Sequence, residues 1–132
     1  MSRLLPPIHR RLLQFAIPFL LAGALLASPL PPKTEFPTGA YVSGDFTVVF
    51  GADGSFSVSE KSDLVVEGAY TVEADRISFI DKQGRYACTA EGEGKYNWKQ
   101  NGETLSFTKI ADDCPGRTKI LTMQPLTRQK KQ

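Results

Sequence analysis

The 132-residue chain holds one histidine, two cysteines and one tryptophan. The histidine, His9, sits among Arg3, Arg10 and Arg11 at the N-terminus. The remaining chain therefore has no imidazole for Ser-His-Asp or Cys-His catalysis, and none to ligate zinc or haem. Aspartates at the spacing of a calcium loop are absent. After residue 38 no segment shows i, i+3, i+4 apolar spacing over two turns, so no glycine-rich loop opens onto a helix to cradle phosphate. With 41% hydrophobic and 23% charged residues, the composition is that of one globular domain, neither mainly disordered nor a multi-span membrane protein.

What is present first is a leader. Its basic start is followed by an uncharged apolar run, Phe15 to Ala27, which is short for a membrane span of roughly 20 residues and is interrupted by Pro18. Ala22-Gly23-Ala24 has the small-x-small pattern of a cleavage site, with Ala27 or Ser28 as alternatives. Residues 1–27 are thus expected to be a signal peptide and 28–37 a Pro-rich connector. The domain is expected over 38–128, with a basic tail at 129–132. The chain is expected in the periplasm or outside the cell, with no membrane span once the leader is removed. An uncleaved anchor is the alternative.

The net charge of +2 comes from the two ends. Without Arg3, Arg10 and Arg11 the chain has thirteen basic residues against fourteen acidic. Setting aside Arg128, Lys130 and Lys131 leaves ten against fourteen. No basic face interleaved with aromatics remains, so nucleic acid is not an expected partner. In an exported chain, Cys88 and Cys114 read as a disulfide; two buried free thiols are the alternative. Two cysteines alone make no zinc site, so neither metal nor cofactor is expected.

The body alternates with period two, interrupted by turn residues. Strands are expected at 40–43, 46–50, 54–59, 64–72, 76–81, 85–90, 95–100, 103–111 and 117–124, about eight in all, the first two being either separate or one strand bent about Gly44. Leu64, Val66, Tyr70 and Val72 would share one face, and Tyr86 and Cys88 would lie on a strand. Asn101-Gly102 signals a two-residue hairpin, with positive φ expected at both central positions. Eight sequential antiparallel strands favour an all-β, up-and-down β-barrel, with an open sandwich as the competing architecture.

Several segments carry a resemblance. They are Gly39-Ala40-Tyr41, Gly68-Ala69-Tyr70-Thr71-Val72, Asp75-Arg76-Ile77-Ser78-Phe79, Gly94-Lys95-Tyr96-Asn97-Trp98, Asn101-Gly102-Glu103-Thr104-Leu105, Asp112-Asp113-Cys114-Pro115-Gly116-Arg117 and Thr127-Arg128. In this order and spacing, over residues 36–128, the chain resembles small bacterial lipocalin-like domains of the calycin superfamily. The resemblance implies an antiparallel calycin barrel in which Arg128 packs over Tyr41 to close it. Tyr41 departs from the family's tryptophan. The helix that usually follows the last strands is not expected here.

Phe46, Phe50, Phe56, Tyr70, Phe79, Tyr86, Tyr96, Trp98 and Phe107 fall on apolar faces by parity. They either fill the barrel or line a cup at its mouth. In the second case the protein is a non-enzymatic monomer that binds a small hydrophobic molecule through Tyr70, Phe79, Tyr96, Trp98 and Phe107. In the first it is a ligand-free envelope interaction module or inhibitor. A carboxylate enzyme would need Asp112, Asp113 or Glu91 to converge with another acid, and the turn context of Asp112-Asp113 favours capping. Lys109, in parity with Phe107, is expected at the rim, since burying an unpaired ammonium is costly.

Overall fold

The computed structural model describes residues 18, 23–26, 28–29 and 35–132. Two units are separated, residues 1–31 and 32–132. In the first, residues 23–26 form no helix or strand. Most of the expected leader and part of the connector lie outside the described residues.

The second unit is a closed antiparallel barrel of eight strands in sequential order. The strands are β1 (Gly39–Ser43), β2 (Phe46–Phe50), β3 (Ser55–Glu60), β4 (Asp63–Glu73), β5 (Arg76–Gln83), β6 (Gly94–Asn101), β7 (Thr104–Ala111) and β8 (Leu126–Arg128). One short helix, α1 (Pro115–Thr122), lies between β7 and β8. The expected fold class holds. Closure is made by β8, which pairs with both β1 and β7, so neither sheet edge is left open.

The alternation read from the sequence is the inside-outside pleat of the wall. Val48, Phe50, Phe56, Val58, Ile77, Phe79, Tyr96, Trp98, Leu105 and Phe107 point inward and are buried, while Ser57, Asn97 and Thr108 do not join the core. Gly68 is required by the same packing. A Cβ there would meet the Phe56 ring at 2.6 Å, so the ring occupies the place of the missing side chain.

Four hairpins turn in two residues, at 44–45, 61–62, 74–75 and 102–103. In each the first central residue has positive φ: Gly44 59°, Lys61 57°, Ala74 55° and Gly102 58°. This differs from the expected Asn101-Gly102 centre. Asn101 pairs with Thr104 as the last strand residue, and the centre is Gly102-Glu103, the φ sign pattern of a type II′ turn.

Of the two readings of residues 40–50, the one found is two strands paired across Gly44-Asp45. Three further expectations are corrected. The expected strand at 85–90 is part of a loop over 84–93, where the Ala87 N–H bonds Gly84 O at 3.1 Å. Tyr86 is accordingly 46% exposed. Leu64 is 53% exposed while Val65 is buried, because a register shift opposite Val58 and Ser59 inserts Val65 into the wall. The expected strand at 117–124 is mostly helix α1. Its only buried residues are Arg117 and Leu121, an i, i+4 pair with a charged member, so the apolar periodicity that marks a helix is missing from the sequence.

Candidate functional site

The two ends of the barrel are built differently. At one end lie the turns at 51–54, 74–75 and 102–103, together with the chain entering β1. Phe36 lies on this end, with its ring 5.1 Å from Phe50, 5.5 Å from Tyr70 and 5.1 Å from Trp98. Trp98 donates its indole N–H to Ala74 O at 2.9 Å, and Tyr70 donates its hydroxyl to Gly51 O. The Arg128 guanidinium stands 4.9 Å from the Tyr41 ring centroid. It also donates to the Tyr41 hydroxyl at 2.7 Å. The Tyr41 and Arg128 side chains, the pair implied by the resemblance, are therefore in contact. Burial is the main influence on the Tyr41 and Tyr70 hydroxyls and holds both pKa values above the ordinary one.

The opposite end carries α1, the 84–93 loop and a cavity of about 180 Å³. The cavity wall includes Phe46, Val48, Phe56, Val58, Val66 and Phe79 from the barrel, and Ile120, Leu121 and Met123 from α1 and the residue after it. Ser43, Asp81, Tyr86, Arg117 and Lys119 supply its polar part. It opens beside the rim, where Tyr86 and Met123 are exposed.

Helix α1 is held over this end by two fastenings. The first is the Cys88–Cys114 disulfide, with Cα atoms 5.9 Å apart. It joins the 84–93 loop to the residue that caps α1, and Cys114 Sγ accepts the Arg117 N–H at 3.3 Å. The second is a buried ionic cluster. Arg117 donates Nε to Asp112 Oδ2 and Nη2 to Asp112 Oδ1, each at 2.7 Å. Its Nη1 lies 3.0 Å from Asp81 Oδ1. The Tyr96 hydroxyl donates to Asp112, and Asp81 Oδ2 accepts the Cys88 N–H at 2.8 Å. Gly94 makes room for the cluster, because a Cβ there would run into the Asp112 carboxylate and Arg117 Nε.

The electrostatics follow from this enclosure. Burial alone would raise the Asp112 pKa. Bonds from Arg117, Tyr96 and the Cys114 N–H outweigh it and hold the carboxyl below its usual range. Burial, reinforced by the bond to Asp112, pushes the Tyr96 hydroxyl well above its ordinary value. Burial works against the Arg117 charge, but Asp112 and Asp81 more than restore it.

Asp112 also accepts the Cys114 N–H at 2.8 Å, so the turn-capping role is present. It is joined by a buried ionic one that the sequence reading missed. Asp113 and Glu91 are exposed, and the acid that converges with Asp112 on Arg117 is Asp81. Lys109 is exposed. Asp81 lies with both sulfurs in a group whose ligand-type atoms are within 4.8 Å of one another. With the sulfurs bonded to each other, neither is a thiolate free to hold a metal.

Of the five aromatics named as ligand contacts, Phe79 lines the cavity. Tyr96 and Phe107 stand behind it, at ring distances of 5.8 and 6.0 Å from Phe79. Tyr70 and Trp98 belong to the other end, under Phe36. Parity along a strand assigns a side chain to the interior but not to a level within it. The α1 contribution escaped because the helix did. Pro115 at the first helical position, after Asp112-Asp113, was the signal that could have revealed it.

No family model matches the chain, and no curated protein or solved structure matches it significantly. The eight-stranded antiparallel barrel is consistent with a lipocalin-like fold. Among the described residues no helix is long and apolar enough to cross a membrane.

Proposed function

We propose that this protein is an exported, non-enzymatic, lipocalin-like barrel that binds a small apolar molecule in the cavity beside α1. The observation that carries the reading is a mainly apolar cavity of about 180 Å³ at the α1 end of the barrel. A cavity of about 150 Å³ lined by aliphatic and aromatic groups stays dry and accepts benzene, so the ligand here is about one ring or a short branched chain in size. A ligand-free scaffold would have no need to leave this volume between Val48, Val58, Val66 and Leu121. The disulfide supports export, since such bonds persist in oxidising compartments.

The test is a methyl-resolved NMR titration with toluene and other compounds of that size. Saturable shifts at Val48, Val58, Val66, Ile120 and Leu121, with little change at the Trp98 indole, are expected. A flat response at all five residues refutes the reading. Trp98 emission is not the reporter of choice, because the indole packs on Phe36 at the other end.

A further inference from the structure

Of the two fastenings that hold α1 over the cavity, one is a bond that thiols can open, and its two sulfurs are not equivalent. Cys88 is partly exposed and lies in the 84–93 loop, where residues 84–86 and 89–93 are exposed. Cys114 is 1% exposed and caps α1. Its Sγ accepts the Arg117 N–H at 3.3 Å, and among the described residues no donor serves Cys88 Sγ. Asp81 has a carboxylate oxygen within 4.8 Å of both sulfurs. That charge disfavours a thiolate on either sulfur alike, and Arg117 Nη1, 3.0 Å from Asp81 Oδ1, offsets it. The N–H at the start of the helix therefore decides between the two, and it favours negative charge on Cys114.

In thiol–disulfide exchange, access selects the sulfur that is attacked, and the sulfur that better carries charge leaves faster. Both criteria give the same direction here. We propose that the Cys88–Cys114 bond is a thiol-exchange site, attacked at Cys88 by an external dithiol, and that its opening loosens α1 and weakens ligand binding in the cavity. In the first step a donor thiolate forms an S–S bond to Cys88 Sγ as the Cys88–Cys114 bond breaks, and Cys114 leaves with the electron pair. In the second step the donor's other thiolate displaces Cys88. The donor ends as a disulfide, and the two cysteines end as thiols, having taken up its two electrons and two protons. The Asp112–Arg117 ion pair involves neither sulfur, so α1 keeps one fastening and the barrel stays folded. The effect on binding rests on the cavity reading above. Ile120 and Leu121 supply the α1 side of the cavity wall, and a helix held at fewer points shields an apolar ligand less well from water.

Two measurements on the unmutated protein test this. In the first, the folded, oxidised protein reacts briefly with reduced glutathione, is quenched in acid and is alkylated with N-ethylmaleimide before peptide mass spectrometry. Glutathione on Cys88 with maleimide on Cys114 is expected in excess of the reverse pattern. Equal or reversed adducts, or exchange only after urea unfolds the barrel, overturn the exchange site. In the second, toluene is titrated into oxidised protein and into protein reduced with dithiothreitol, read from the Val58 and Leu121 methyls. Reduction is expected to weaken toluene binding at least about fivefold, the low end of an ordinary coupling between sites, with the Trp98 indole resonance unmoved. Equal affinity in the two states, or an unfolded Trp98 resonance after reduction, overturns the control of binding. Toluene binding to neither state overturns the cavity reading and the control with it, while the glutathione adducts still decide the exchange site.

Discussion

The end of the barrel under Phe36 and the end under α1 solve the same problem with different chemistry. Under Phe36, rings close on rings, and the polar tips of Tyr41, Tyr70 and Trp98 each find a hydrogen-bond partner at the edge. Under α1, a covalent bond and a buried Asp–Arg–Asp cluster hold a short helix across the mouth, and a cavity remains beneath it. Aromatic packing is tolerant of shape and fills space. A covalent and ionic fastening fixes position at a few points, so it can hold a cover in place without filling what lies beneath. The end with the most directional bonds is therefore the end that keeps a cavity.

The largest test of this contrast is Arg117→Ala. It leaves Asp81 and Asp112 buried without their cation, and removal of one partner from such a cluster costs roughly 3–5 kcal/mol. Urea denaturation should show that loss, and a change below about 1 kcal/mol would mean that the cluster does not fasten α1. Next is the disulfide, which closes a loop with a sequence separation of 26. Chain entropy puts its contribution at up to ~3.5 kcal/mol. The Cys88→Ala, Cys114→Ala double variant should lose amide-exchange protection in α1 before it does so around Trp98. Simultaneous loss at both ends would erase the distinction drawn here. Phe36→Ala attacks the other end. Removing a partly buried ring costs about 2 kcal/mol, and it should shift Trp98 emission to the red while ligand binding at α1 persists.

The pH dependence sharpens the same comparison. Asp112 has a folded pKa below its unfolded value, so it stabilises the fold above about pH 4. That contribution disappears as pH falls through the lower folded value. Asp53 also titrates low through its bonds from Ser55, but it is a solvated turn residue. Acid unfolding followed by NMR should therefore loosen α1 first, and Asp112→Asn should weaken that acid sensitivity. Tyr41, Tyr70 and Tyr96 all have raised folded pKa values. Their contribution is complete below about pH 10 and is lost as pH rises through the folded values, so alkali should loosen both ends. The smallest expected effect is Ala74→Gly. It relieves a left-handed Ala at φ 55° against the entropy cost of glycine, and a gain of roughly 0.5 kcal/mol in urea melts is expected.

The legibility of the molecule divides along the same line. From Gly39 to Glu73 and from Lys95 to Ile110 the period-two pattern and the turn residues locate the strands closely, because each strand has one face in the core and one in water. At 84–93 and 112–125 the pattern fails. Tyr86 and Cys88 mimic alternation, but Cys88 is drawn to the cap of α1 by the sulfur bridge. Arg117 sits where a helix would normally show an apolar residue, because Asp81 and Asp112 meet it there. Val65 breaks the parity of β4 by entering as an extra residue.

By itself, then, the sequence determined the all-β class, the sequential hairpins from β1 to β5 and from β6 to β7, a single possible pair of cysteines, and the absence of any histidine beyond His9. Those properties depend on local alternation, turn chemistry and composition, which are written residue by residue. Only the tertiary structure decided which end is packed and which is hollow. It also decided that Phe79, and not Trp98, reaches the cavity, and that three charges from β5, α1 and the residue after β7 share one buried cluster. Those outcomes depend on side chains far apart in the chain meeting at one depth of the barrel, and a periodic pattern carries no coordinate for depth.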